Sequence, residues 1–150
     1  MYKHQSKIYA SIRGNAEYPN INGMVTFNNT DRGVLVTAEI YGLPTQYENT
    51  GHGVFAFHIH SGSECPNSKG DNSGTHYNPE NLPHPYHAGD LPPLFSNMGY
   101  AYMQTVTNRF TLDDIVGKTV IIHSMPDDFT TQPSGNSGSK IACGVIIFKD

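Results

Sequence analysis

The sequence is poor in charge and in long apolar runs, and this excludes two classes of function. Charged residues make up 15% of the 150-residue chain, whereas about a quarter is usual in globular domains. The formal net charge is −4 and no basic run is present, which argues against nucleic acid as a partner. No apolar run approaches the roughly 20 residues of a membrane-spanning helix, so no membrane segment is predicted.

Cysteine is also scarce. Cys65 and Cys143 are the two cysteines; two cannot build a thiolate zinc cage, and these lie too far apart for a redox Cys-x-x-Cys motif. They leave two readings open, one disulfide or two buried thiols.

Residues 1–7 carry no apolar segment typical of a signal peptide. This indicates the cytoplasm if the chain is the native full length, and the envelope or secretion if a signal was removed.

Glycine and proline, at 15 and 10 residues, are by contrast frequent, so the chain turns often. Alternating apolar residues predict short strands, at residues 6–12, 24–28, 34–41, 53–60, 94–98, 100–107, 119–123 and 141–149. One helical turn is predicted after a capping pattern at Thr111. Two long loops, 61–93 and 124–139, show no periodicity. We therefore predict a single domain, 1–150, built as an all-β antiparallel sandwich or flattened barrel.

Histidine is concentrated in one stretch. Five histidines and Asp90 fall within residues 58–90, more than packing needs. In the predicted strand 53–60, whose last residues begin this stretch, alternation puts Phe55, Phe57 and Ile59 on one face and His58 and His60 on the other. A strand that presents two imidazoles from one face is a rigid base for a metal site.

The candidate ligands form two sets with one residue between them in sequence. Strand ends supply His58, His60 and His123, the long loop supplies His84, His87 and Asp90, and His76 lies between. Four imidazole nitrogens suit copper, and three histidines with a carboxylate suit zinc. Seven residues fill eight coordination places only if one imidazole serves both metals, and His76 is the natural shared ligand. A lone histidine is usually a surface or hydrogen-bonded residue, and His4 and His52 are read in that way.

The sequence resembles the copper/zinc superoxide dismutase family, as a bacterial-type member with shortened loops. The resemblance runs from about Ile8 to Phe148, and its motifs are Phe57-His58-Ile59-His60, Gly74-Thr75-His76-Tyr77-Asn78-Pro79, His87-Ala88-Gly89-Asp90, Val120-Ile121-Ile122-His123, Asp127-Asp128, Gly135-Asn136 and Ala142-Cys143-Gly144-Val145-Ile146. It implies an eight-stranded Greek-key β-barrel with one copper and one zinc per chain.

The resemblance also implies roles for single residues. It implies copper ligands at His58, His60, His76 and His123, and zinc ligands at His76, His84, His87 and Asp90. By the same resemblance, Asp127 links a copper histidine to a zinc histidine, and Cys65 and Cys143 form the disulfide that ties the long loop to the last strand. The implied reaction is dismutation of superoxide to dioxygen and hydrogen peroxide, with copper cycling between two oxidation states and His76 taking a proton when copper is reduced.

The chain departs from the family pattern at Lys140, where most members carry arginine beside the copper. We expect Lys140 to keep the charge that attracts the anion but to lose the two-point contact of a guanidinium. The loop 124–139 carries only Asp127 and Asp128 as charges. A shortened spacing between His60 and Cys65 alters the region used for dimer contacts in eukaryotic members, so the sequence leaves both a homodimer and a monomer open.

Three other assignments compete with that of a copper/zinc dismutase. A copper/zinc-binding barrel with little dismutase activity, serving copper buffering or delivery, is the main alternative, and the complete copper set argues against it. A zinc hydrolase would need an open zinc position and a carboxylate base, and neither Glu64 nor Glu80 lies in such a motif. A copper-only dismutase is disfavoured because His84, His87 and Asp90 are all present.

Overall fold

The structure, a computed structural model, describes residues 7–45 and 53–150. Eight antiparallel strands and one helical turn follow each other along the chain. Their bounds are β1 Lys7–Gly14, β2 Asn22–Thr30, β3 Gly33–Tyr41, β4 Val54–His60, β5 Asp90–Phe95, β6 Ala101–Thr107, α1 Leu112–Ile115, β7 Thr119–His123 and β8 Lys140–Lys149. His4 and His52 lie outside the described residues, so their reading as bystanders stays a prediction.

The strands form one sheet in the order β5-β4-β7-β8-β1-β2-β3-β6. The end strands β5 and β6 also contact each other, which nearly closes the sheet into a barrel. The connections from β3 to β4 and from β6 to β7 cross over between strands that are not neighbours. The predicted all-β antiparallel barrel is confirmed.

The interior follows the predicted alternation. Ile8, Ala10 and Ile12 of β1 are buried on one face, as are Phe55 and Phe57 of β4. These side chains belong to one apolar cluster that fills the barrel. Burial of this kind is the main stabilising term of a small β domain, at about 25 cal/mol for each Å² of apolar surface.

One strand begins earlier than its sequence indicates. Pairing of β5 with β4 starts at Asp90, which lies opposite His58, whereas we predicted a strand only from Leu94. Pro92 and Pro93 hide the strand because proline lacks an N–H for the sheet. They are tolerated here because β5 is the last strand in the order and pairs with β4 alone. The strand ends at Phe95 because Met98 and Gly99 both have positive φ and form a tight turn.

The other predicted elements match closely. Helix α1 begins with a capping box in which the Thr111 backbone N–H donates to Asp114 Oδ2 at 2.7 Å. The loop 61–89 is held against β4 by backbone hydrogen bonds, with Tyr77 N donating to Ile59 O and Ile59 N donating to Gly89 O. Residues on both faces of β4 are buried, because the core packs on one face and the loops lie over the other.

A disulfide also fastens this loop. Cys65 is bonded to Cys143 of β8, across 78 residues of sequence. The pairing that the family resemblance implied is confirmed, and the reading with two buried free thiols is wrong.

Removing this crosslink should destabilise the protein. Because the bond closes a loop of this length in the unfolded chain, Cys65→Ser should lower the free energy of unfolding by up to roughly 4–5 kcal/mol. Thermal unfolding of the variant and of the oxidised parent measures this, with the Cys65→Ser/Cys143→Ser double variant as the control for a leftover thiol. Two thiols that react in the native, air-exposed parent would contradict the assignment.

Candidate metal centre

Four histidines converge from three parts of the fold. His58 and His60 come from β4, His123 ends β7, and His76 belongs to the long loop. One nitrogen from each lies within 4.8 Å of one from every other member, and all four residues are buried. The structure brings together the whole set for which copper was predicted.

Strand pairing explains the convergence. In the β4–β7 ladder His58 lies opposite Ile121 and His60 opposite Thr119, so alternation puts the imidazoles of His58, His60 and His123 on the same face. A register shift between Ile122 and His123 in the β7–β8 pairing changes the direction of the strand at its last residue. An isolated bridge between His60 and His76 then brings the loop alongside β4.

Hydrogen bonds fix which nitrogen of His60 faces the cluster. His60 Nδ1 lies 2.8 Å from the carbonyl oxygen of Gly74. A carbonyl can only accept, so Nδ1 carries the proton and Nε2 carries a lone pair. That Nε2 lies 3.2 Å from His123 Nε2. Two ring nitrogens that approach in this way form a favourable arrangement for a cation.

Asp127 does the same for two other histidines. Its Oδ2 lies 2.8 Å from His58 Nε2, and its Oδ1 lies 2.8 Å from His84 Nε2. Each imidazole therefore donates through Nε2 and turns Nδ1 inward. His58 Nδ1, His84 Nδ1 and His76 Nε2 are buried and have no hydrogen-bond partner among the described protein groups. Buried polar atoms are rarely left so, and bound metal ions would satisfy all three.

A second cluster adjoins the first and shares His76. His76 Nδ1 lies 2.8 Å from Asp90 Oδ1 and 3.2 Å from His87 Nδ1. His84 Nδ1 lies 3.1 Å from Asp90 Oδ2, but this is not a hydrogen bond, because the His84 proton is on Nε2 and both of these atoms carry lone pairs. The four ligand atoms lie within 4.8 Å of one another. Three imidazoles and one carboxylate are a donor set typical of zinc, and His76 turns one nitrogen to each cluster.

Burial favours the neutral form of two histidines in the first cluster. Burial lowers the pKa of His60 to about 3 and that of His123 to about 2. Burial raises the pKa of Asp127, but hydrogen bonds from His58 and His84 outweigh this and hold it below its usual range. At neutral pH His60 and His123 are thus uncharged and carry free lone pairs, and the Asp127 carboxylate is ionised, which is the state that binds metals.

Lys140 lies where β8 begins, opposite His123 in the ladder. Three acceptors surround its ammonium. Nζ lies 2.7 Å from Asp71 Oδ2, 2.6 Å from Ser73 Oγ and 3.1 Å from Gly74 O. These partners belong to the long loop, whose course the sequence did not reveal.

Two further residues position the second cluster and were missed in the sequence. Gln132 accepts from His84 N at 2.9 Å and donates to His84 O at 2.7 Å. Arg109 Nη1 donates to the carbonyls of Pro85 and His87 at 3.0 and 3.2 Å. Each partner is more than twenty residues away in sequence, so no local spacing could have indicated these contacts.

Fold and clusters together define a β-barrel protein with a paired-metal centre. A family model described as copper/zinc superoxide dismutase (SODC) matches residues 21–146. The chain belongs to the copper/zinc superoxide dismutase family. Along the described residues no helix is long and apolar enough to cross a membrane.

Relatives of this chain include bacterial and eukaryotic proteins. It is 37% identical to superoxide dismutase [Cu-Zn] of Legionella pneumophila over 132 residues, which cover 83% of this chain and 76% of that protein. It is 32% identical to superoxide dismutase [Cu-Zn] 2 of Aquifex aeolicus, over 90% and 86% of the two chains. The Schizosaccharomyces pombe superoxide dismutase [Cu-Zn] is 33% identical, over 91% and 94%.

The buried histidines should make the metal-free protein sensitive to acid. In the folded state the pKa of His60 lies near 3, below its ordinary value of 6.5, so the unfolded chain binds more protons as the pH falls through that interval. The contribution of each such histidine to the free energy of unfolding is therefore fully present above pH 6.5. It is lost as the pH falls towards 3, by up to about 1.4 kcal/mol per pH unit. Urea unfolding of the metal-free protein from pH 7 to pH 4 measures the slope.

The variant His60→Gln is the control, because it removes one titrating group from the cluster. Its unfolding free energy should depend less steeply on pH than that of the parent, whatever its absolute stability. Equal slopes in the two proteins would show that His60 is not held neutral by burial.

Proposed function

We propose that this chain dismutates superoxide to dioxygen and hydrogen peroxide with one copper and one zinc ion. The observation that carries the proposal is the pair of buried donor sets that meet at one imidazole, His76. Copper, when bound, supplies reversible one-electron oxidation and reduction of superoxide, and zinc supplies a fixed charge without redox chemistry.

The protein contributes the ligands and their orientation. We assign copper to His58, His60, His76 and His123, and zinc to His76, His84, His87 and Asp90. His76 could serve both sets, since its Nε2 faces one cluster while its Nδ1 lies 2.8 Å from Asp90 Oδ1 in the other; to hold two ions at once, the ring would have to be unprotonated at both nitrogens. Asp127 supports this arrangement because its two oxygens hold His58 and His84, one from each set. Partners of this kind fix the tautomer and direction of a ligand.

Lys140 is the residue that we assign to attracting the substrate. Superoxide is a small anion, and the chain is net negative, so its approach depends on local positive potential near the copper ligands. Lys140 lies opposite His123 and shares the Gly74 carbonyl with His60. Its side chain is about a quarter exposed, at 23%.

A metal-binding barrel without dismutase activity is the alternative that the sequence left open. No described residue favours it, because both donor sets are complete and every member except the half-buried Asp90 is buried. Metal analysis together with a superoxide dismutation assay on the copper- and zinc-loaded protein tests the proposal. Two metals per chain without dismutation would support the alternative.

His76→Ala should disturb both metals, because it removes one ligand from each set. The copper absorption and electron paramagnetic resonance spectra should change, and zinc should be retained less well on dialysis. The matched control is His87→Ala, which removes a ligand from the zinc set alone and should leave the copper spectrum nearer to that of the parent. If His76→Ala changed neither metal, the shared-ligand assignment would be wrong.

The dismutation rate should depend on the sign of the charge at position 140. Lys140→Arg should equal or exceed the parent, whereas Lys140→Glu should be much slower, by roughly tenfold or more at low salt, because it reverses the local field. The parent rate should fall as ionic strength rises, since salt screens the attraction. Dismutation rates of the three proteins at matched copper content, over a salt series, measure this. Three equal rates without salt dependence would remove Lys140 from the reaction.

A further inference from the structure

Lys140 has an acidic partner whose function nothing above explains. An ammonium group has three N–H donors, and the three acceptors around Nζ are Asp71 Oδ2, Ser73 Oγ and Gly74 O. All three acceptors come from one short segment of the loop. The ammonium is therefore held in one place, and one of its acceptors carries a full negative charge.

Asp71 is itself held in place before it meets Lys140. Its Oδ1 accepts from the backbone N–H of Ser73 at 2.9 Å and from the hydroxyl of Ser73 at 2.6 Å, and Ser73 is fully buried. Burial raises the pKa of Asp71, but hydrogen bonds from Lys140 and Ser73 outweigh it and lower the pKa to about 2. Asp71 is thus ionised wherever the protein is folded and active, and its charge always opposes that of Lys140.

The pair lies one carbonyl group away from a proposed copper ligand. Gly74 O accepts from Lys140 Nζ at 3.1 Å and lies 2.8 Å from His60 Nδ1. An anion that approaches this side of the cluster therefore meets the Asp71 carboxylate together with the Lys140 ammonium. Because Lys140 Nζ and Asp71 Oδ2 lie only 2.7 Å apart, the negative charge of Asp71 offsets much of the attraction that Lys140 exerts on such an anion.

From these contacts we propose that Asp71 is a positioning residue that fixes the Lys140 ammonium and attenuates its attraction for anions at the copper site. The inference rests on the proposed function, because it concerns the approach of the substrate. It differs from a purely structural role in one respect: removing the charge of Asp71 should strengthen anion binding rather than weaken it.

The geometry makes Asp71→Asn the informative change. Asparagine has the same shape and keeps an oxygen for the Ser73 donors, but its amide nitrogen then replaces the oxygen that accepts from Lys140 Nζ. Lys140 keeps two of its three acceptors, Ser73 Oγ and Gly74 O, and its charge is no longer offset. By Coulomb's law in a largely aqueous setting, one such charge within several ångströms changes the affinity for a monovalent anion roughly three- to tenfold.

Azide is the probe, because it is a small monovalent anion that can be titrated against the copper absorption of the loaded protein without turnover. Asp71→Asn should lower the azide dissociation constant roughly three- to tenfold at low ionic strength, and the difference should shrink as salt screens it. The dismutation rate should rise in parallel and depend more steeply on salt. Asp71→Glu, which restores the charge, should return the azide affinity towards that of the parent.

Glu64→Gln is the matched control. It removes one negative charge from the same loop, where Glu64 accepts from Asn72 Nδ2 at 3.1 Å, so the change in net charge is identical. It should alter the azide dissociation constant by less than about twofold, because an exposed charge outside the pair is screened. Asp71→Ser, which also removes the charge, replaces Asp71→Asn if that variant does not retain both metals.

The outcomes separate this inference from the proposed function. If the parent dismutates superoxide but Asp71→Asn binds azide no more tightly than Glu64→Gln does, the attenuating role is wrong and the function stands. If Asp71→Asn binds azide more tightly but the parent shows no dismutase activity, the attenuating role of Asp71 is supported and the proposed function is overturned. Weaker azide binding in Asp71→Asn at full metal content would show that Asp71 only supports the loop.

Discussion

The Asp127 carboxylate accepts from His58 through one oxygen and from His84 through the other, both at 2.8 Å. It comes from the second long loop, whereas His58 comes from the sheet and His84 from the first long loop. Three separate parts of the chain therefore meet at one buried group. The carboxylate also dictates the tautomers of both rings, so each turns Nδ1 towards its own cluster. Displacing Asp127 would reorient one histidine of each cluster.

This dependence makes the site inseparable from the folding of the loops. The outer face of β4 carries His58 and His60, and it is buried only because the loops lie over it. Those loops contain little apolar surface, and their order comes from a disulfide, the Gln132 contacts with His84 and backbone hydrogen bonds. The lone pairs of the unprotonated ring nitrogens repel one another where the histidines converge, and this repulsion opposes the packing of the loops over β4 unless a cation lies between the rings. Metal binding and loop order should therefore be coupled, as in other metal sites that form fully only with the ion.

Much of this could be predicted from the sequence, because period-two alternation determines which residues of a strand share a face. It was sufficient for β4 and for placing His58 and His60 together. It failed at β5, where Pro92 and Pro93 conceal an edge strand. It could not reveal the contacts of Asp71 or Arg109 either. Those depend on how a non-repeating loop returns to the barrel, and no local spacing encodes that path.

Lys140 shows how two demands fall on one side chain. Lys140 connects β8 to the long loop through its ion pair with Asp71. Cys143, three residues further along β8, connects the same two parts through the disulfide. As an attractor of anions it needs an uncompensated charge, and the carboxylate that fixes it removes much of that charge. An arginine could serve both demands, because its five donors leave some free when one edge is bound to the loop. A lysine has three donors, all with acceptors here, so an arriving anion must displace one of them. The protein therefore gains an ordered loop at the cost of a weaker local field, and this constraint follows from the choice of lysine at position 140.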